Sequence, residues 1–164
     1  MIRIPYFDDA EIELIEPGVL DAAEADATLK RFLALTPANR LADSRHVHAY
    51  YRDYHQAVGG EDWFDPQMGV PATAAEIWKH VSPNCLFLSK DRRSGCWHVV
   101  VEANCAWEEG HGLMLVWRDG TTLTKAGGYD GHVTNVNAHA DETMNDVVYS
   151  ASDPQFTTRL GDPA

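Results

Sequence analysis

The spacing of apolar residues changes halfway along the chain. Over residues 22–35 and again over 37–58, apolar side chains recur every three or four positions, the pattern of an amphipathic helix. The pair Thr36-Pro37 separates the two predicted helices, since threonine suits a helix cap and proline the first turn. From Cys96 to Cys105, apolar and polar residues alternate instead, which indicates a half-buried strand. The chain therefore predicts helices first and strands second.

Shorter signals fill in the remaining elements. Residues 2–16 alternate weakly and predict an N-terminal strand. Two capping boxes, one opened by Asp21 and one by Thr73, predict helix starts, the second for a short helix. The long segment 59–72 between them predicts a loop. Further predicted elements are a strand over 85–88, a hairpin of 113–118 with 121–125 around Asp119-Gly120, a strand over 132–136 and a short helix from Asp141.

This order of elements predicts an α+β fold. We expect an N-terminal helical hairpin and a short helix, packed on one face of an antiparallel meander of four to five strands. The length of 164 residues predicts one domain, over residues 1–150, followed by a loosely ordered tail over 151–164.

Composition narrows the class of protein. The net charge of −12 argues against nucleic-acid binding, because phosphate contacts require clustered Lys and Arg. No apolar run is long enough to predict a membrane span, and the N-terminus has no signal-peptide pattern. The three cysteines, Cys85, Cys96 and Cys105, are expected to be reduced thiols, so the predicted compartment is the cytoplasm.

The negative charge is concentrated at the N-terminus. Residues 1–26 contain eight acidic residues and one basic residue, a net charge of −7. Such a segment is either a solvated face that aids solubility or a patch complementary to a basic partner. The loop pair Trp63-Phe64 either covers the core or anchors a partner, as exposed aromatic residues do at interfaces. The predicted partner-binding residues are Asp8, Asp9, Glu11, Glu13, Trp63 and Phe64.

The segment from Trp107 to Gly112 is the first candidate for chemistry. Glu108 and His111 stand three apart and could share a proton or a metal ion. The zincin pattern needs a helix, however, and the glycines of this segment disfavour one. The structural interpretation is a turn between strands, in which Trp107 packs and His111 bonds to the backbone.

The glycine-rich segment 127–132 is the second candidate. It lacks the helix and the Lys-Ser/Thr ending of a phosphate-binding loop, so a plain connection between strands is favoured. Asp130 and His132 could nevertheless meet Glu108 and His111 if both loops lie at one end of the sheet. The alternative prediction is then a divalent metal site formed by Glu108, His111, Asp130 and His132.

The segment from Cys105 to Leu113, followed by an apolar strand and Asp119-Gly120, resembles an uncharacterised bacterial domain family. That family is marked by a Trp-Asp/Glu-x-Glu-His-Gly-Leu segment after a strand, and the resemblance covers residues 74–150. Trp107, Glu108, His111 and Gly112 match, whereas Gly110 stands where a Glu is expected. The resemblance implies a single-domain cytoplasmic protein, and some members are similar to immunity proteins that neutralise toxins. The missing acid at Gly110 favours a structural role for the turn.

Two functions are consistent with these observations. The first is a non-catalytic cytoplasmic protein-binding domain without a cofactor, which binds a basic partner through the acidic segment and the Trp63-Phe64 loop. An immunity-type role is its specific form. The second is a metal-dependent hydrolase that uses the Glu/His/Asp cluster. The sequence contains no complete catalytic motif, which favours the first function over an enzyme.

Overall fold

A computed structural model describes residues 1–16 and 22–163, and its centre is a six-stranded sheet. The strands lie in the sheet in the order in which they occur in the chain. Only β2 and β3 pair in parallel, and the other neighbours are antiparallel. The strands are β1 (Ile2–Ile4), β2 (Ala10–Ile15), β3 (Val81–Lys90), β4 (Trp97–Cys105), β5 (Leu113–Arg118) and β6 (Thr122–Gly127).

The prediction of a four- to five-stranded antiparallel meander is wrong in its detail. The N-terminal segment forms two strands, because the 3-10 helix Pro5–Phe7 turns the chain between β1 and β2. β2 then joins β3 in parallel, with Glu13 opposite Cys85. A parallel pair needs a long crossover, and here the crossover contains the first helices.

The two long helices fall where the sequence predicts them, but they do not form a packed hairpin. α1 (Ala22–Leu33) lies against β4, whereas α2 (Pro37–Val58) packs against β6 and the 3-10 helices Pro5–Phe7 and Ala74–His80. The predicted cap residue Asp21 lies outside the described residues. The short helix predicted after Thr73 is the 3-10 helix Ala74–His80.

The remaining elements are short. α3 (Asp65–Met68) lies in the predicted long loop, and α4 (Asn135–His139) occupies part of the segment predicted as a strand over 132–136. That prediction is wrong, because the Thr134 hydroxyl caps a helix there by accepting the Asn137 N–H. Further elements are the 3-10 helices Glu142–Met144 and Pro154–Phe156 and the strands β7 (Val147–Tyr149) and β8 (Thr158–Arg159).

The main core lies between the helices and one face of the sheet. Trp117 is fully buried and contacts Tyr6 and Phe32, with ring centroids 5.0 and 4.7 Å apart. Trp107 is buried farther along the same face, 5.6 Å from the ring of Tyr50 on α2. These aromatic contacts hold α1 and α2 on the sheet through area burial and edge-to-face packing.

The opposite face of the sheet is covered on one half only. Val100, Met114 and Val116 are buried there, with Val133 packed against them. The Asn135 amide donates to the carbonyl oxygens of Val147 and Val148 at 2.8 and 3.2 Å, which fixes this covering segment. The half of the face formed by β1, β2 and β3 carries exposed and half-buried side chains instead.

The segment predicted as a loosely ordered tail is attached to the body wherever the structure describes it. β8 pairs with β7, and the 3-10 helix Pro154–Phe156 precedes it. The Asp53 carboxylate on α2 accepts the backbone N–H groups of Ser152 and Asp153 at 2.7 and 3.0 Å. Asp53 thus connects α2 to the start of this segment. None of the described helices combines the length and apolar character that crossing a bilayer requires.

Candidate functional site

The turn from Trp107 to Gly112 is closed by its own carboxylate. Glu108 accepts the backbone N–H groups of Gly110 and His111 at 2.8 and 2.7 Å. Its Oε2 atom also lies 3.0 Å from Nδ1 of His111, so the imidazole bonds to this side chain and not to the backbone as predicted. The Glu108 side chain is almost fully buried, whereas His111 is 76% exposed. The carboxylate therefore has its bonds satisfied within the turn.

The glycines of this turn make that closure possible. A Cβ at Gly110 would stand 2.9 Å from Oε1 of Glu108, so a side chain there would push against the carboxylate. Gly112 has a φ of +62°, and a Cβ there would meet the Ala103 carbonyl oxygen at 2.7 Å. The Tyr50 hydroxyl donates to the Gly112 carbonyl at 3.1 Å. These contacts fix the conformation of the turn, and Trp107 at its start is buried.

The second loop lies beside the first, as the alternative prediction requires. The Tyr129 N–H donates to the His111 carbonyl at 3.2 Å. Asp130, however, forms an ion pair with Lys125, whose ammonium lies 2.5 and 2.7 Å from the two carboxylate oxygens. Lys125 also donates to the His132 carbonyl at 2.6 Å. Asp130 therefore neutralises a buried lysine, a partner that the sequence did not indicate.

The four predicted ligands do not converge on one point. Within the stretches 1–16 and 22–163, no group of three or more His, Cys, Asp or Glu side chains is placed to hold a metal ion. The Glu108 carboxylate faces the N–H groups of its own turn, and Asp130 faces Lys125. His111 and His132 are exposed. The loops are neighbours, but their acidic groups are engaged separately.

The predicted partner-binding residues lie in three separate places. Asp8 and Asp9 form the turn before β2, where Asp8 pairs with Arg40 near the start of α2 at 2.7 Å. Trp63 is 65% exposed beyond the other end of α2, and Phe64 stacks on Tyr54 with ring centroids 5.9 Å apart. The part of α2 between the two places is about 27 Å long at 1.5 Å per residue. One compact contact cannot include both.

Glu11 and Glu13 occupy the third place, the exposed half of the sheet. Strand register puts Glu13, Cys85 and Glu102 in one row and Ile15, Phe87 and Val100 in the next. Glu11 and Glu13 are exposed, Ile15 is largely exposed, and Cys85, Phe87 and Glu102 are half-buried. We call this surface the open sheet face, defined by Glu11, Glu13, Ile15, Cys85, Phe87 and Glu102.

The sequence does not indicate the part of this surface that β3 and β4 contribute. The alternation in β4 places Glu102 on the face opposite to Val101, but only the parallel pairing of β2 with β3 brings it close to Glu13. Burial raises the pKa of the Cys85 thiol, with further contributions from the charges of Glu102 and Glu13. This thiol is therefore held in its neutral form beside two carboxylates.

Comparison with known proteins identifies a family but no characterised relative. No curated protein and no solved structure matches the chain. One family model, described as a domain of unknown function (DUF6985), matches residues 1–133. The match includes the whole six-stranded sheet and the turn at Trp107. It confirms that the chain contains an uncharacterised domain, and this confirmation does not extend to the Trp-Asp/Glu-x-Glu-His-Gly-Leu motif or to the immunity-type likeness. The chain belongs to the DUF6985 family.

Proposed function

We propose that this protein is a non-catalytic protein-binding domain that docks a basic partner on its open sheet face. The observation that supports the proposal is a group of three carboxylates, Glu11, Glu13 and Glu102, on one side of the apolar side chains Ile15 and Phe87. Within the described part of the chain, Arg3 pairs with Glu11 at 3.3 Å, and Glu13 and Glu102 have no ion pair.

The two kinds of side chain have different roles in such a contact. Ile15 and Phe87 supply apolar area that a partner would remove from water, and buried anchors of this kind carry most of the affinity of an interface. The neighbouring carboxylates would attract a basic surface, raise the association rate and disfavour acidic partners. The net charge of −12 extends that attraction beyond the contact itself.

Trp63 belongs to a different contact in this proposal. It lies beyond the far end of α2 and borders a groove with Val58, Trp107 and Glu109. Trp63 is the predicted aromatic anchor of a second region that contacts a partner. The immunity-type role, in which the partner is a basic toxin domain met in the cytoplasm, is the specific form of the proposal.

The proposal is tested by asking whether the chain retains a basic protein and whether that binding depends on the open sheet face. The tagged chain is used as bait in a lysate of its native host, the retained protein is identified by mass spectrometry, and the purified pair is titrated calorimetrically. We expect Glu13→Lys with Glu102→Lys to weaken binding by at least about tenfold, because like charges would then face each other.

The matched control is Glu24→Lys with Asp26→Lys, which makes the same change in net charge on the exposed side of α1. It should reduce affinity only slightly, through the long-range field. Equal losses for the two double variants, or no loss for either, would contradict docking on the open sheet face. Retention of no basic protein would contradict the basic partner.

The metal-dependent hydrolase is the alternative function. Its ligand set would be Glu108, His111, Asp130 and His132, and the engagement of Asp130 by Lys125 would have to be broken first. Metal analysis of the purified protein is the direct test, and a stoichiometric divalent ion that is lost on Asp130→Asn would favour this alternative.

A further inference from the structure

A cavity of about 210 Å³ lies on the covered half of the sheet's second face. Its floor is formed by side chains of β4, β5 and β6, and its outer wall by the segment 134–147. The floor lies within the residues matched by the family model and the wall beyond them. The cavity is smaller than the pockets of drug-sized ligands, so it fits only a small molecule.

His98 on the cavity floor has an unsatisfied polar atom. The residue is 2% exposed, and its Nδ1 atom has no hydrogen-bond partner. A buried polar atom without a partner is costly, and native proteins satisfy nearly all such groups. Burial, the largest cause, lowers the pKa of His98, so the ring is a neutral hydrogen-bonding group. The Nδ1 atom itself is not accessible from the cavity, so the ring forms a neutral part of the cavity floor.

Arg118 provides a positive charge beside this imidazole. It lies directly opposite His98 in the register of β4 and β5, so the two side chains leave the same face as neighbours. Among the residues that the structure describes, Arg118 makes no ion pair. The second cation at the cavity, Arg93, is already paired with Glu142. Arg118 is therefore the free cation at this site.

The Asp91 carboxylate at the cavity accepts hydrogen bonds from neighbouring protein groups. Asp91 accepts hydrogen bonds from the backbone of Arg93 and Ser94, the Ser94 hydroxyl and the Asn137 amide, at 2.6 to 3.2 Å. These bonds hold the pKa of Asp91 at about 2 against the opposing effect of burial, and they engage both of its oxygens. The rest of the lining includes the apolar side chains of Val136, Met144 and Val147.

We propose that this cavity binds a short-chain carboxylic acid, with the carboxylate held by Arg118 beside the neutral ring of His98 and the hydrocarbon part against Val136, Met144 and Val147. A carboxylate can accept two parallel hydrogen bonds from the guanidinium. A chain of a few carbon atoms matches the cavity volume and the apolar wall. This site is independent of the partner proposed for the open sheet face.

Titration of the full chain with butanoate tests the proposal, followed by NMR of the His98 ring and by calorimetry. The probes for comparison are butanamide, which has the same size without the charge, acetate, which lacks the hydrocarbon part, and inorganic phosphate. We expect butanoate to saturate with a dissociation constant of about 1 mM, the range for a ligand of this size. Butanamide and acetate should each bind about tenfold more weakly.

Variants assign the binding to the cavity. Arg118→Gln should weaken butanoate binding by about tenfold or more, because a hydrogen bond to a charged group is lost. Arg92→Gln is the control, since Arg92 is an exposed arginine outside the cavity lining. Failure of butanoate to saturate, equal affinity in Arg118→Gln, or phosphate binding at least as tight as that of butanoate would overturn the proposal.

Discussion

At the scale of single residues, the neighbouring sequence does not predict how and where Lys125 is buried. Strict alternation from the core residue Leu123 would place Lys125 on the core face of β6. A bulge between Val116 and Trp117 shifts the register, so that Lys125 lies opposite Val116 on the second face, where Asp130 meets it. A bulge of one residue depends on pairing with the neighbouring strand, so the sequence of β6 alone cannot reveal it.

The pair formed by Lys125 and Asp130 predicts asymmetric effects of removing either partner. The Lys125 side chain is 4% exposed and that of Asp130 is 40% exposed. Asp130→Asn leaves a buried ammonium without a counter-ion and should cost about 2 kcal/mol, whereas Lys125→Met leaves a hydrated carboxylate and should cost less than about 1 kcal/mol. Urea denaturation of both variants and of the double variant measures this. Equal costs, or a double variant less stable than Asp130→Asn, would contradict the assignment.

At the scale of elements, the local patterns predict the long helices and the hairpin well, and the pairing of distant segments poorly. The spacing over 37–58 predicts both ends of α2, because the capping residue, the stripe of apolar residues and the glycine after the helix are all local signals. The parallel pairing of β2 with β3 joins residues about seventy positions apart, and no local period encodes it. The sequence predicts the turn at Trp107, but it does not indicate that the Glu108 carboxylate accepts the N–H groups of Gly110 and His111.

The packing of α2 against the Pro5–Phe7 turn predicts a pH dependence of stability. The Tyr6 hydroxyl donates to Oδ2 of Asp43 at 2.9 Å, and burial raises the pKa of Asp43 to about 6. The unfolded chain has a value of about 3.9 for this group, so between pH 4 and 6 the folded state holds a proton that the unfolded state has lost. The contribution of Asp43 to the free energy of unfolding therefore falls as the pH rises through that window.

Asp43→Asn should remove this dependence. Relative to the wild type, we expect the free energy of unfolding of the variant to rise by roughly 1–2 kcal/mol between pH 4 and pH 7, a value reduced for partial solvent access. Urea denaturation at four pH values measures it, and Asp26→Asn on the exposed side of α1 is the control. Parallel pH profiles of Asp43→Asn and the wild type would show that Asp43 is not the titrating group.

At the scale of the whole molecule, a few buried polar groups connect parts of the chain that lie far apart in sequence. His46 on α2 bonds through Nδ1 to the Thr158 hydroxyl of β8 at 2.7 Å. Asp53, also on α2, accepts from the Tyr149 hydroxyl at 2.7 Å and from the backbone of Ser152 and Asp153. The sequence predicts α2 as an apolar stripe with a solvated face, and it does not indicate that the polar face holds the C-terminal segment. Long-range partners of this kind become visible only in three dimensions.

Asp53 is therefore expected to stabilise the molecule beyond its own helix. In Asp53→Asn, an NH2 group replaces one carboxylate oxygen, so a donor faces a group that donates to this oxygen in the wild type. We expect this change to lower the free energy of unfolding by about 2–4 kcal/mol. Asp62→Asn, in the exposed loop after α2, should change stability by less than about 0.5 kcal/mol. Urea denaturation gives both values, and hydrogen exchange should show the amides of Ser152 and Asp153 losing protection first. Unchanged exchange at those amides in Asp53→Asn would mean that packing of Phe156 and the β7–β8 pair, and not the buried carboxylate, holds the segment in place.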